Sequence, residues 1–559
     1  MKRLLPLLLG LALALSACTG GAQDDTLALN FPDAPSQTET DSAPPPVDPQ
    51  TTTEPVTLPS GLHVTTDWSK YSPRTQAKAK YTRISEDFVA DFHPMDDLGR
   101  VYPYAAAPLF SNYEDGYSWL AGYRWGLIDR SGRILTDGTY ENIAPLGELY
   151  GPPGYHPVAP PLWQVSRVID VVPQTYDDSQ GNEYTYYDGK TVYGVIAMDG
   201  SFATGCVFSG VQPMGDSYFL AVRDWEKRDM VVCDLSGTPM FTGKVIPSKA
   251  EWWYLDYGDD LFLLTLGLPN EQTECRYLDS TGKTVLGPYA KASPFCEGLA
   301  SASPDGENWG FIDKTGQWVV PPTYDFCEDF SDGRAVCSDG STYMLIDQTG
   351  RALLRLACSG LNRDYGLLRA ELWVDGNLYD RFYDLDGTLV ASLPGSDWYL
   401  LDELTASRNS GQRLLLQPLG APYDPLELTG TNYAVRGMAW VGDRAVPGYW
   451  CESYGSGELR FLSLDLKELT VSAPANADEY YDCWRTTTDV VTAAHYDLVC
   501  DGKLWHLLDA DGQERGVITG GDVILCDGLV RSIDDYACTY RDLAGNVVFR
   551  YPLKTAMDD

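Results

Sequence analysis

Residues Glu307 to Gly340 read ENWGFIDKTG QWVVPPTYDF CEDFSDGRAV CSDG, and their pattern decides the fold. Trp309-Gly310-Phe311-Ile312 is a short apolar run of strand formers. Asp313-Lys314-Thr315-Gly316 follows, with Asp at the first turn position and Gly at the fourth. That order suits a type I turn closed by a left-handed residue, because the Asp side chain accepts from the turn's own N–H groups and Gly takes positive φ without a Cβ clash. Gln317-Trp318-Val319-Val320 returns as a second strand of a hairpin, which Pro321-Pro322 is expected to end, since neither can donate to a ladder. Phe330-Ser331-Asp332-Gly333 makes another turn, and Arg334-Ala335-Val336-Cys337 starts a third strand. A meander of three strands cannot bury its apolar face alone, so copies must stack.

Copies are present. Asp-x-x-Gly recurs at Asp129/Gly132, Asp234/Gly237, Asp279/Gly282, Asp313/Gly316, Asp347/Gly350, Asp384/Gly387, Asp509/Gly512 and Asp542/Gly545. Looser matches end at Gly99, Gly200 and Gly420, and neighbouring turn glycines are often 33 or 34 residues apart. An aromatic-Gly pair precedes the turn at Trp125-Gly126, Tyr193-Gly194 and Trp309-Gly310. Phe-x-x-Gly-x-Ala appears at Phe295-Gly298-Ala300 and 35 residues on at Phe330-Gly333-Ala335.

Taken together, W-G-x-I-D-x-x-G, P-P-x-Y-D and F-x-x-G-x-A resemble the WG repeat family of bacterial surface and secreted proteins. Residues 296–350 carry the resemblance well and 119–146 in their first half, while the rest of 92–550 keeps mainly the Asp-x-x-Gly hairpin. The family has no agreed catalytic residues, so the resemblance implies an architecture and a setting rather than a mechanism.

Met1-Lys2-Arg3 is a basic start, and Leu4 to Leu15 is an apolar run of twelve residues, short of the ~20 that span a bilayer. Leu15-Ser16-Ala17-Cys18 then places small residues before a cysteine. This is a lipobox pattern, with residues 1–17 as a lipoprotein signal peptide and Cys18 as the acylated first mature residue. Two or three acyl chains anchor stably where one does not, so the expected location is the extracytoplasmic face of a cell membrane, held by palmitate-type lipid on Cys18. The competing reading is an ordinary signal peptide with an incidental cysteine. Residues 18–60, with Pro44-Pro45-Pro46 and many Thr, Ser and Asp, are expected to form a disordered tether. Residues 61–92 are expected to cap the repeats as a short helix or leading strand, and 93–559 to be one repeat array or two sub-arrays. Two intervals lack the usual turn spacing. One is Tyr150 to Lys190, wide enough for a unit; the other lies between Gly420 and Gly512, where Asp465-Leu466-Lys467-Glu468 resembles a hairpin that lost its Gly.

The formal charge is −38, or −40 once Lys2 and Arg3 leave with the signal. That disfavours nucleic acid and anionic headgroups as partners; solubility alone also explains it. Twelve cysteines follow Cys18. Cys327/Cys337 and Cys526/Cys538 fall on adjacent predicted strands, as disulfide neighbours or as buried small apolar residues of an organism living without oxygen. The five histidines, at 63, 93, 156, 495 and 506, never pair at metal-ligand spacing. No nucleophile elbow, phosphate loop or His-Glu-x-x-His occurs. Asp384-Leu385-Asp386-Gly387 and Asp509-Ala510-Asp511-Gly512 resemble the start of a calcium loop but lack its closing Glu, and turn chemistry accounts for them. Trp252-Trp253-Tyr254, Trp398-Tyr399, Trp440, Trp450, Trp484 and Trp505 are either glue between sheets or platforms for sugar.

The expectation is an all-β chain of tandem antiparallel meanders closed into a β-propeller-like array, with an open β-solenoid as the alternative and four-stranded blades drawn from adjacent units as a further possibility. Its expected function is non-catalytic binding of a protein or glycan, with no catalytic residue, metal or cofactor assigned. The alternative is an extracellular hydrolase of polysaccharide on a propeller face. A solute-binding lipoprotein needs alternating βα units, which this sequence does not show.

Overall fold

The computed structural model describes residues 101–112, 118–129, 134–147, 160–177 and 183–552, the last with short breaks, and strands at Val56–Thr57, His63–Val64 and Phe92–Pro94. Cys18, the 1–17 segment, nearly all of 18–60 and 61–92, and Gly132 lie outside the described residues.

The predicted hairpin and returning strand form as Trp309–Asp313 and Trp318–Tyr324, beside Leu299–Ser303. One more strand, Lys291–Ala292, precedes them on the edge of the same sheet. The unit therefore has four strands rather than the three expected. A strand of two residues is too short to show alternation in a sequence, which is why the pattern hid it. The prolines also behave differently from expectation. Trp318–Tyr324 runs through Pro321-Pro322, and the pairing shifts register beside them, between Trp309↔Tyr324 and Phe311↔Val320. A bulge on an edge strand tolerates the missing N–H groups.

This meander recurs. Among the described residues nine sheets have four strands, one has five and one has three, all antiparallel, in a β-propeller arrangement, and Val56–Thr57 pairs with His63–Val64 as a two-stranded sheet. No α-helix occurs among them, only two short 3-10 turns at Gly243–Val245 and Tyr480–Asp482. The 150–190 interval supplies long partners, Leu162–Asp177 and Glu183–Ala197, inside the five-stranded sheet, rather than a unit of its own. Phe92–Pro94 pairs with Phe202–Thr204 at the edge of that sheet.

The Asp-x-x-Gly corners are equivalent from sheet to sheet. Asp279, Asp313 and Asp347 each receive the turn Gly N–H on their carbonyl at 2.8–2.9 Å. Their Oδ1 atoms accept the N–H groups of the residues two and four places on, at 2.8–3.1 Å. Gly282, Gly316 and Gly350 have φ between +77° and +83°. These contacts, led by the hydroxyls of Thr281, Thr315 and Thr349, hold the three carboxyls below the usual range, Asp347 at about 2. At the eroded corner Leu466 itself takes φ +60°, and the Ser463 hydroxyl accepts from Lys467 N at 3.2 Å in place of an aspartate.

The Gly of the Trp-Gly pair has a different task. A Cβ on Gly310 would stand 2.4 Å from the Val320 carbonyl oxygen and 2.7 Å from the Pro321 carbonyl carbon. Gly310 thus lets the bulged outer strand approach.

Core clusters lie between consecutive sheets. Leu299, Phe311 and Val320 of one sheet pack with Cys327, Phe330, Ala335 and Cys337 of the next. The series closes, because Cys526, Leu529 and Tyr540 of the last sheet share a cluster with Val101, Tyr102 and Trp125 of the three-stranded sheet. The Tyr102 and Tyr540 rings are 5.6 Å apart, and the Tyr540 hydroxyl donates to the Pro103 carbonyl. Carboxylates at the first corners clasp neighbours as well: Glu297 accepts from Gly333 N at 2.8 Å, and Asp489 from Gly528 N at 2.7 Å.

Cys327 and Cys337 face each other as a directly opposed, buried pair with Sγ atoms 2.7 Å apart. Cys526 and Cys538 are not on adjacent strands, since Leu529–Ile533 lies between theirs.

Four outcomes are expected. Gly310→Ala should destabilise the fold by about 1–3 kcal/mol through backbone overpacking. Gly333→Ala, where φ is +68° but space is open, should cost about 1 kcal/mol; thermal midpoints separate the two. The turn aspartates have depressed pKa values, so their stabilisation is present above the unfolded value of about 4 and is lost as pH falls toward about 2. The thermal midpoint should accordingly fall across that window, and less steeply in Asp347→Asn. A small-molecule disulfide should oxidise Cys327 and Cys337 to one crosslink while itself being reduced to two thiols, seen as a linked peptide by mass spectrometry.

Candidate functional site: an aromatic row and a polar cleft

The first strands of the sheets carry the surface of most chemical interest. Each packs on the core through an inward residue at an equivalent place: Leu255, Ala292, Cys327, Leu361, Leu400 and Ala434 in six successive sheets. Successive residues of a strand point to opposite faces, so the residue just before each one points away from that contact. Those residues are Tyr254, Lys291, Phe326, Gly360, Tyr399 and Tyr433. The register supports the equivalence: Tyr254 opposes Thr265, Lys291 opposes Ser303, Phe326 opposes Ser338 and Tyr399 opposes Ser407. The four aromatics are 42%, 43%, 59% and 45% exposed in chain order, which for large rings is unusual and sets them apart from the core.

Two residues further along the same strand face stand Asp256, Ser293, Glu328 and Asn362 in the first four of these sheets. Burial pushes the Asp256 and Glu328 carboxyls up, that of Glu328 against the opposing pull of Arg363. Asp329 is also raised by burial, and the charge of Asp256 adds to it while a 3.1 Å hydrogen bond from the Ser301 hydroxyl offsets part. Three carboxyls with raised values thus lie on two sheets, Asp256 on one and Glu328 and Asp329 on the other, with Ser301 of the sheet between them bonded to Asp329.

Where the row carries Gly360 instead of a ring, a cleft of about 380 Å³ opens. Phe326, Glu328, Tyr343, Asn362, Arg369 and Glu371 line it, over Ser359-Gly360. A Cβ on Gly360 would meet only Asn362 Nδ2, at 3.7 Å, so there is room for a side chain that the sequence does not supply. Arg369 is fixed from behind. It pairs at 3.0 Å with the fully buried Asp380, whose same oxygen accepts Trp398 N at 3.0 Å, and its guanidinium lies 5.3 Å from the centre of the Tyr399 ring. The arrangement offers flat apolar surface beside donors and acceptors, which is suited to binding an amphiphilic ligand.

Sequence reading had divided the aromatics between core and platform without assigning each. Trp398, Trp450 and Trp484 are buried, whereas Trp252, Tyr254 and Tyr399 are exposed. Trp253 stacks on Trp225 at 5.3 Å, Trp440 stacks on His506 at 3.7 Å, and Arg485 lies 4.5 Å from the Trp505 ring centre. His506 is held by Glu514 at 2.6 Å and Asp501 at 3.3 Å, as part of a packed network. Phe326, Tyr433, Gly360 and Arg369 were missed. A usable signal existed for part of the row: Lys291 and Phe326 each precede the Gly of Phe-x-x-Gly by seven residues. The turn residues Asp279, Gly282, Asp313, Gly316, Asp347 and Gly350 sit at sheet corners, and Asp129 is buried at the end of Ser118–Asp129. Asp384 Oδ1 is occupied by the N–H groups of Asp386 and Thr388, as at the other corners. Among the described residues no group of three or more His, Cys, Asp or Glu is arranged to hold a metal.

No curated protein matches the chain. Solved structures similar to it include a eukaryotic initiation factor, at 11% identity and TM-score 0.27 over 60% of this chain and 96% of that one. BamB from Moraxella catarrhalis is similar at 11% identity and TM-score 0.20, over 60% of this chain and 94% of that one. Dihydro-heme d1 dehydrogenase NirN in complex with DHE is similar at 14% identity and TM-score 0.24, over 54% and 73%. Scores this low give these likenesses no weight for function. The family model for the WG containing repeat matches residues 125–148 and 309–338. Each match begins at a Trp-Gly pair on the last strand but one of a sheet and takes in the first strand of the following sheet, so each matched segment overlaps two sheets.

Proposed function

We propose that this protein is a non-catalytic repeat scaffold that binds a glycan or protein through the exposed row of its first strands, and that lipid on Cys18 holds it at the extracytoplasmic face of a membrane. The observation that carries the binding reading is the recurrence of exposed rings at one register, Tyr254, Phe326, Tyr399 and Tyr433. Rings that served only packing would be buried like Trp398 or Trp450. The anchoring reading rests on Leu15-Ser16-Ala17-Cys18 after an apolar run of lipoprotein-signal length. The large negative charge disfavours nucleic acid as the partner.

A second reading, an enzyme acting on polysaccharide, is favoured by Asp256 and Asp329, whose carboxyls burial raises, the direction that suits a general acid.

Glycan arrays and affinity capture with the Cys18→Ser protein test the first reading. Tyr399→Ala combined with Tyr433→Ala should weaken binding at least about tenfold, roughly 1.4 kcal/mol, without moving the thermal midpoint. Glycan turnover abolished by Asp256→Asn or Asp329→Asn would replace the binding reading with the enzymatic one. Cys18→Ser should also shift the protein from the detergent phase to the aqueous phase on detergent partitioning.

A further inference from the structure

The cleft at Gly360 is a gap in a row that carries rings at four of its six positions, and its walls are chemically divided. We propose that it is a subsite for one uncharged sugar ring of a glycan; this rests on the binding reading above and names the ligand class for it. A pyranose has an apolar C–H face and a rim of hydroxyls. Phe326 supplies a flat, partly exposed ring for the face. Asn362, Glu328 and Glu371 supply acceptors for the rim, and Arg369 supplies donors.

The donor is already in place. Asp380 and the Tyr399 ring hold Arg369 before any ligand arrives, so little side-chain freedom is lost on binding. Asp380 also matches the charge of Arg369, so the remaining charged groups that line the cleft, Glu328 and Glu371, are both acidic. Together with a chain charge of −38 they disfavour uronic or sulfated sugars. A cavity of about 380 Å³ is in the lower part of the range for small-molecule sites and suits one or two sugar rings better than a folded partner. Gly360 sets the space. Its φ is not among the positive ones, so a side chain there would be compatible with the backbone and would fill the cleft with what the flanking sheets carry as Phe326 and Tyr399.

The test is calorimetric titration of the full chain with neutral tetrasaccharides of glucose and of N-acetylglucosamine, an oligogalacturonate, and an oligolysine peptide. The expected result is binding of a neutral tetrasaccharide, no binding of the oligogalacturonate, and a loss of at least tenfold in Gly360→Tyr with the thermal midpoint unchanged. Phe326→Ala should show the same loss and serves if Gly360→Tyr folds poorly; Asp279→Asn, at a sheet corner outside the row, should stay within twofold. Wild-type affinity in both cleft variants would overturn the subsite while leaving the broader binding reading intact if Tyr399→Ala with Tyr433→Ala still loses binding. Failure of every neutral tetrasaccharide to bind, or oligolysine binding that Gly360→Tyr removes, would overturn the sugar assignment.

Discussion

The structure depends on one contact repeated between sheets. The Phe of each Phe-x-x-Gly corner leaves its own sheet and packs on an aromatic of the sheet before: Phe330 on Phe311 at 4.6 Å, Phe295 on Tyr277 at 4.8 Å. A four-stranded sheet of this size has no interior of its own, so these rings and the small residues beside them, Ala300 and Ala335, are the interior. The glycine that follows lets the chain turn back into its own sheet. Loss of one such ring would therefore weaken two sheets rather than one, as in other arrays held by nearest-neighbour interfaces.

That arrangement explains why the Trp-Gly repeat and the sheet are out of phase. The matched segment 309–338 holds the outer strands of one sheet and the inner strands of the next. A sequence unit that spans the interface carries the residues that must match across it. Gly310 and the Pro321-Pro322 bulge belong to the same logic, with a missing Cβ and two missing N–H groups meeting at one place on an outer strand.

Much of the fold was legible because its corners are chemical. Asp313 and Gly316 announce a turn by hydrogen-bonding capacity and by freedom at positive φ, and both requirements act within five residues. The strand Lys291–Ala292 was not legible, because two residues carry no period. For the long hairpin of Leu162–Asp177 and Glu183–Ala197 the sequence leaves two readings open, because spacing alone does not distinguish a hidden unit from longer strands. The candidate site was legible only in part. Exposed Tyr399 and buried Trp398 are neighbours in sequence, and nothing local separates them; their fates follow from which face of a short strand each occupies. Gly360 was invisible for the opposite reason, since a residue that matters by lacking a side chain reads as an ordinary loop glycine.

The joint between the last sheet and the three-stranded sheet bears on how the molecule comes to exist. Tyr102 and Asp527 touch at a separation of 425 residues, while the other interfaces join segments near in sequence. A chain made or exported from its N-terminus can assemble one sheet against the next as it emerges, but this seam must wait until nearly all of it has appeared. Until then the growing arc has two bare ends, each an uncovered apolar sheet face, and closing the seam is the step that removes both.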